Sequence, residues 1–147
     1  PRIKWRQSPR PPQRPWTKNR LEPSPKPDEG LAGIVQGQSA SEYEERFARA
    51  LDAHPSVQWY DFQKSYIAPP GVTGEKTVDF LVGAGLLYGI QIDGDWVHKG
   101  AAARAKDLES DTELNNALGG QIQPIQRIRG IDLEDQEMAK RVVEAMF

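Results

Sequence analysis

Residues 77–96, TVDFLVGAGLLYGIQIDGDW, constrain the fold more than any other part of the chain. They read as two short apolar strands, 77–82 and 86–93, with Gly83, Ala84 and Gly85 forming the turn between them. Apolar runs of this length bounded by glycines are buried strands rather than helices. Three polar residues interrupt them: Asp79, Gln91 and Asp93. A carboxylate inside a buried strand is costly unless a partner or a metal compensates it. Gln91 and Asp93 are two apart and so point to one face of their strand. If the strands pair as a hairpin, Asp79 can reach the same patch, which makes this the place to look for chemistry.

The 147 residues suffice for one domain of ordinary size. Cys is absent, which excludes disulfides and thiolate metal sites. His54 and His98 are too few for a His-rich zinc site. Any metal would sit on oxygen ligands, which favours Mg, Mn or Ca. No apolar run approaches the ~20 residues of a membrane span, and the first residues do not have the pattern of a signal peptide. The expectation is a cytoplasmic protein, or one working inside a virion or other particle assembled in a cell, neither secreted nor in a membrane. The start at Pro1 suits a native N-terminus after removal of an initiator Met.

Charge divides the chain. Up to Glu29, eight basic residues face three acids, so this arm carries +5 and the remainder carries −7 of the net −2. Eight prolines among the first 27 residues rule out helix and central strand there. A segment of this kind is extended and binds by ordering on a partner. Its candidate contacts are Arg2, Lys4, Arg6, Arg10, Arg14, Lys18 and Arg20, with Trp5 and Trp16 as aromatic anchors. A basic arm on an acidic body suits an anionic partner. The partners expected are other subunits of a large assembly, possibly DNA, and no membrane. Residues 1–38 are thus an arm and connector, and 39–147 an α/β domain.

Within that domain, Ser41 followed by Glu44 is a capping-box pattern opening a helix to about Ala53, with Tyr43, Phe47, Ala50 and Leu51 on one face. His54-Pro55 ends it, and His54 suits the last carbonyls better than a metal. Residues 57–67 read as a strand, 68–74 as a turn region, and 95–100 as a polar turn carrying Trp96 and His98. A helix follows over 101–118, with Ala102, Ala105, Leu108, Leu114, Ala117 and Leu118 available for packing and Lys106, Asp107, Asp111 and Glu113 solvated. It stops at Gly119-Gly120. Residues 122–128 form a last strand in which Pro124 implies an edge or bulge. A final helix starts near Asp132 or Asp135 and carries Met138, Val142, Val143 and Met146 as a core or interface stripe. This order implies a mixed central sheet with helices on its faces.

These segments resemble the PD-(D/E)XK-type nucleases, most closely the compact very-short-patch-repair endonuclease-like domains. The resemblance covers residues 39–147. Residues 41–51 are similar to the opening helix, Phe62-Gln63-Lys64 to the following strand, Val78-Asp79-Phe80 to "VDF", and residues 90–94 to "(I/V)E(V/I)DG". The Asp-bearing helix 107–119 and the strand 124–128 follow in order. The resemblance implies a restriction-endonuclease-like core. Asp79 would be a metal ligand, Glu44 a further one, and Asp93 and Lys64 catalytic residues. Gln91 stands where the family has its second acidic ligand. An amide has no charge with which to grip a hard cation.

Each carboxylate also has a reading without a metal. Asp79 can cap backbone or pair with Arg127, Asp93 can belong to an Asp-Gly turn, and Glu44 can serve the capping box alone. Two functions follow. One is a nuclease-fold domain with a degenerate metal site, needing no cofactor and acting as an assembly subunit. The other is an active endonuclease of phage or bacterial origin, dependent on Mg²⁺ or Mn²⁺.

Overall fold

The computed structural model describes residues 4–5, 30–67, 76–94, 100–118 and 122–147. Three helices, seven strands and one 3-10 turn lie within them: β1 (Lys4–Trp5), β2 (Ile34–Val35), β3 (Gln38–Ser39), α1 (Glu42–Ala53), β4 (Trp59–Ile67), β5 (Lys76–Ala84), β6 (Leu86–Asp93), α2 (Ala101–Leu118), β7 (Gln123–Arg129), the 3-10 turn (Gly130–Leu133) and α3 (Gln136–Met146). The centre is a mixed four-stranded sheet, β4-β5-β6-β7, which β1 extends at the β4 edge. All pairs are antiparallel except β6 with β7.

Helix α1 forms where the capping box places it. Ser41 accepts from Glu44 N–H, and Glu44 Oε1 accepts from Ser41 N–H at 2.8 Å. The helix closes on His54, whose Nδ1 accepts from Ser56 N–H. In α3 it is Asp135, not Asp132, that caps, by accepting from Met138 N–H, while Asp132 pairs with Arg129. The apolar faces of α1 and α3 close over one side of the sheet. Phe47, Ala50 and Leu51 meet Ala139 and Val143, with Val142 and Met146 at the rim. Phe80 is the hub, its ring 5.0 Å from Phe62, 5.1 Å from Phe47 and 5.8 Å from Tyr60. Two polar ties lock the helices together: Arg46 donates to Leu133 O, and Gln136 donates to Arg46 O.

The turn between β5 and β6 is shorter than the glycines suggest. Ala84 pairs with Leu86, leaving Gly85 alone at the tip with φ +80°. Gly83 belongs to the strand because the Trp59 indole covers it and leaves no room for a Cβ. Pro124 lies in an edge strand, and the β6–β7 register slips between Tyr88–Gln123 and Ile90–Gln126. Helix α2 spans 101–118, and three of the residues set aside for packing are not buried, while the side chains of Leu114, Ala117 and Leu118 lie outside the described residues. Ala102 and Ala105 are exposed, and Leu108 is 56% exposed. Polar groups share its inward face: Arg104, Asp107, Asp111 and Asn115 fall together at helical spacing, and Asp111 is buried. Asn115 Oδ1 accepts from Ile125 N–H at 2.6 Å.

The connector before α1 folds back as a hairpin. Gln36 (φ +48°) and Gly37 (φ +80°) make its two-residue turn between β2 and β3. The Gln36 amide is buried and acts as a clip on β4. It donates to Tyr60 O at 2.7 Å and accepts from Phe62 N–H at 2.8 Å. Gln36→Ala should therefore destabilise the protein by roughly 2–3 kcal/mol in urea unfolding, because a buried donor and acceptor lose their partner. Gln36→Gly should lose up to ~1 kcal/mol less, since glycine relieves the positive φ. A cost near zero for both would show that the clip carries no stability.

Candidate functional site

The β5–β6 ladder ends at the Phe80–Ile90 pair, and the side chains next to it bridge the two strands. Gln91 accepts from Asp79 N–H at 3.2 Å and donates to Thr77 O at 3.1 Å. Asp79 returns the contact, its Oδ2 accepting from Ile92 N–H at 2.7 Å. Each group therefore stands in for a ladder partner.

Across from Asp79 is Gln63. The β4–β5 pairs run from Phe62–Phe80 to Lys64–Val78, with Gln63 opposite Asp79 between them. Gln63 has φ +56°, a left-handed backbone that non-glycine residues rarely adopt in a strand. Face alternation breaks at this point. Lys64 Nζ lies 3.8 Å from Asp61, three residues back, whereas a regular strand sends such residues to opposite faces. On β5, Phe80 faces the α1–α3 core, while Val78 is buried against the other side, beside Gly89. Gln63 Nε2 donates to both Asp79 Oδ1 and Glu44 Oε2, each at 3.3 Å. Glu44 thus serves two tasks at once, with Oε1 in the capping box and Oε2 on Gln63.

Asp93 belongs to a separate group. It is buried, and its Oδ2 lies 3.4 Å from Arg127 Nη1. Arg127 makes a bidentate pair with Asp111 of α2, at 2.9 and 2.8 Å. The hydrogen bonds that the guanidinium donates to Asp111 raise its pKa above the ordinary value, against the effect of burial. Arg127 is thus tied mainly to Asp111, and its field on Asp79 is the smallest contribution there.

The structure joins Asp79 to Glu44 through Gln63 and to Gln91 through the Asp79 N–H, and it leaves Lys64 on Asp61. Asp93 faces Arg127 rather than joining the Asp79 patch. Asp111, expected to be solvated, is buried in an ion pair. Sequence reasoning missed Gln63 and Asp111. For Gln63 the only signal was its place in the chain, one residue before Lys64. Of the arm, only the backbone of Lys4 and Trp5 is described, opposite Ile67 and Tyr66. Arg2, Arg6, Arg10, Arg14, Trp16, Lys18 and Arg20 lie outside the described residues, as do Trp96, His98 and Gly119-Gly120.

Among the described residues, no group of three or more His, Cys, Asp or Glu side chains could hold a metal. The Gln91 oxygen already accepts a backbone N–H, and an N–H donor lies between the two carboxylates. No family model, curated protein or solved structure matches the chain. Among the described residues, no helix is long and apolar enough to cross a membrane.

Burial raises the Asp79 carboxyl from 3.8 to about 6; Glu44 adds to the rise, and the Ile92 N–H, Gln63 and Arg127 oppose it. A carboxyl raised on folding stabilises the fold most below its unfolded value. That stability is lost as the pH climbs through about 4 to 6. Asp79→Asn cannot titrate, so its stability relative to wild type should improve by roughly 2–3 kcal/mol between pH 3.5 and 7.5. Denaturant unfolding at both pH values measures this. A pH-independent difference would mean that Asp79 ionises normally.

Proposed function

We propose that residues 39–147 are a nuclease-like core of the PD-(D/E)XK type whose cation position has been given over to holding the sheet together. The chain then acts as a structural or assembly subunit of a larger virion-like or nucleoprotein particle, and its basic arm engages partner proteins or nucleic acid. The element order α1-β4-β5-β6-α2-β7 supports the restriction-endonuclease-like reading, with three antiparallel strands and a fourth parallel to the third. The position of Asp79 and Gln91 on adjacent central strands, with Glu44 on the first helix, supports it further.

The observation that carries the loss of chemistry is the Gln91 amide. Both of its ends are committed to the β5 backbone. Metal-assisted phosphodiester hydrolysis needs an ion that polarises the phosphate and activates water. Such an ion needs charged oxygens in good geometry. Here the amide is neutral, and Asp79, with its carboxyl raised to about 6, holds its negative charge less readily than an ordinary aspartate.

The test is a cleavage assay on the full chain with plasmid DNA and with single-stranded RNA, in Mg²⁺ or Mn²⁺. Wild type should cut neither substrate above the level of Asp79→Ala. Cutting that Asp79→Ala abolishes would overturn this reading and make the protein an active divalent-metal endonuclease.

A further inference from the structure

We infer that Gln63 is a built-in substitute for a cation, its amide nitrogen holding Glu44 and Asp79 together in the position an ion between them would take. This rests on the nuclease-like reading only for the idea that an ion once belonged there; the contacts themselves are independent of it.

Three observations converge on Gln63. Two carboxylates face one point, and two acceptors select the nitrogen end of an amide, which has one hydrogen for each. The same residue has φ +56° within β4, a strained conformation that persists only where its surroundings over-determine it. It also lies directly opposite Asp79, at the point where both strands change face. A left-handed residue is what brings this side chain to both acids. With Gln91 spent on backbone, the Gln63 amide is the group that bridges Glu44 and Asp79, while the Ile92 N–H and Arg127 also favour the Asp79 charge.

The inference has two consequences that a mere packing role lacks. First, a real positive charge at position 63 should serve better than the amide, and an apolar chain of similar length should serve worse. Gln63→Lys should be more stable than Gln63→Met at pH 7.5. Second, removing the plug and restoring a carboxylate should open the position to an ion. Gln63→Gly/Gln91→Glu keeps the left-handed backbone without strain. Mn²⁺ should raise its melting temperature by several degrees and bind it with a stoichiometry of one by electron paramagnetic resonance. Wild type should show neither effect, and Gln91→Glu alone should bind far more weakly than the double variant.

A Lys variant no more stable than the Met variant would overturn the inference. So would wild type or Gln91→Glu responding to Mn²⁺ as strongly as the double variant, or a folded double variant that ignores Mn²⁺. The lysine comparison needs no new ion site and decides the matter even if the double variant does not fold. A wild type that cuts nothing yet is stabilised by Mn²⁺ sinks the plug alone. A protein that cuts nucleic acid while the position-63 series behaves as stated sinks the structural reading alone.

Discussion

Backbone groups of neighbouring strands that leave the ladder must find other partners, and here the partners are side chains. Beyond Phe80 and Ile90, the Asp79 and Ile92 amides and the Thr77 carbonyl are satisfied by Gln91 and Asp79. Each such group left bare in the interior would cost about 1–3 kcal/mol. Together that is a sizeable share of the ~5–15 kcal/mol by which a domain is normally stable. The requirement explains why a neutral amide is well suited to position 91. Glutamine both donates and accepts, so it can bridge a carbonyl and an N–H at once, whereas a glutamate would leave the Thr77 carbonyl without a donor.

A second polar layer sits under α2. This helix turns Arg104, Asp107, Asp111 and Asn115 inward and leaves Ala102, Ala105 and Leu108 outside. Its hold on the sheet is directional: a bidentate Asp111–Arg127 pair and the bond from Ile125 N–H to Asn115. Ion pairs of this sort add little net stability over apolar packing. Asp93, buried beside Arg127, adds a third acid to that layer.

What could be read in the sequence was what local chemistry decides. The Ser41–Glu44 cap, the apolar faces of α1 and α3, the Gly85 turn region and the edge position of Pro124 all follow from spacing and backbone restriction, and all appear in the fold. What could not be read depends on contacts between distant segments. Gly83 looks like a turn residue until Trp59 is laid over it. Asp111 of α2 looks solvated until Arg127 arrives from β7. Gln63 gave no local hint of a left-handed backbone, and that one dihedral decides that Lys64 faces Asp61. Asp79 was recognisable as an unusual strand carboxylate, but its partners come from α1, β4 and β6.

The clip from the β2–β3 hairpin reaches beyond its own hydrogen bonds. The outer margin of a sheet is a template on which another molecule's strand can grow, the first step towards fibrils. Gln36 and Gln38 occupy that margin of β4 at Tyr60 and Phe62, and Pro124 with the adjoining register slip spoils the margin of β7. Both borders of the central sheet thus carry features that blunt end-to-end fusion with another sheet.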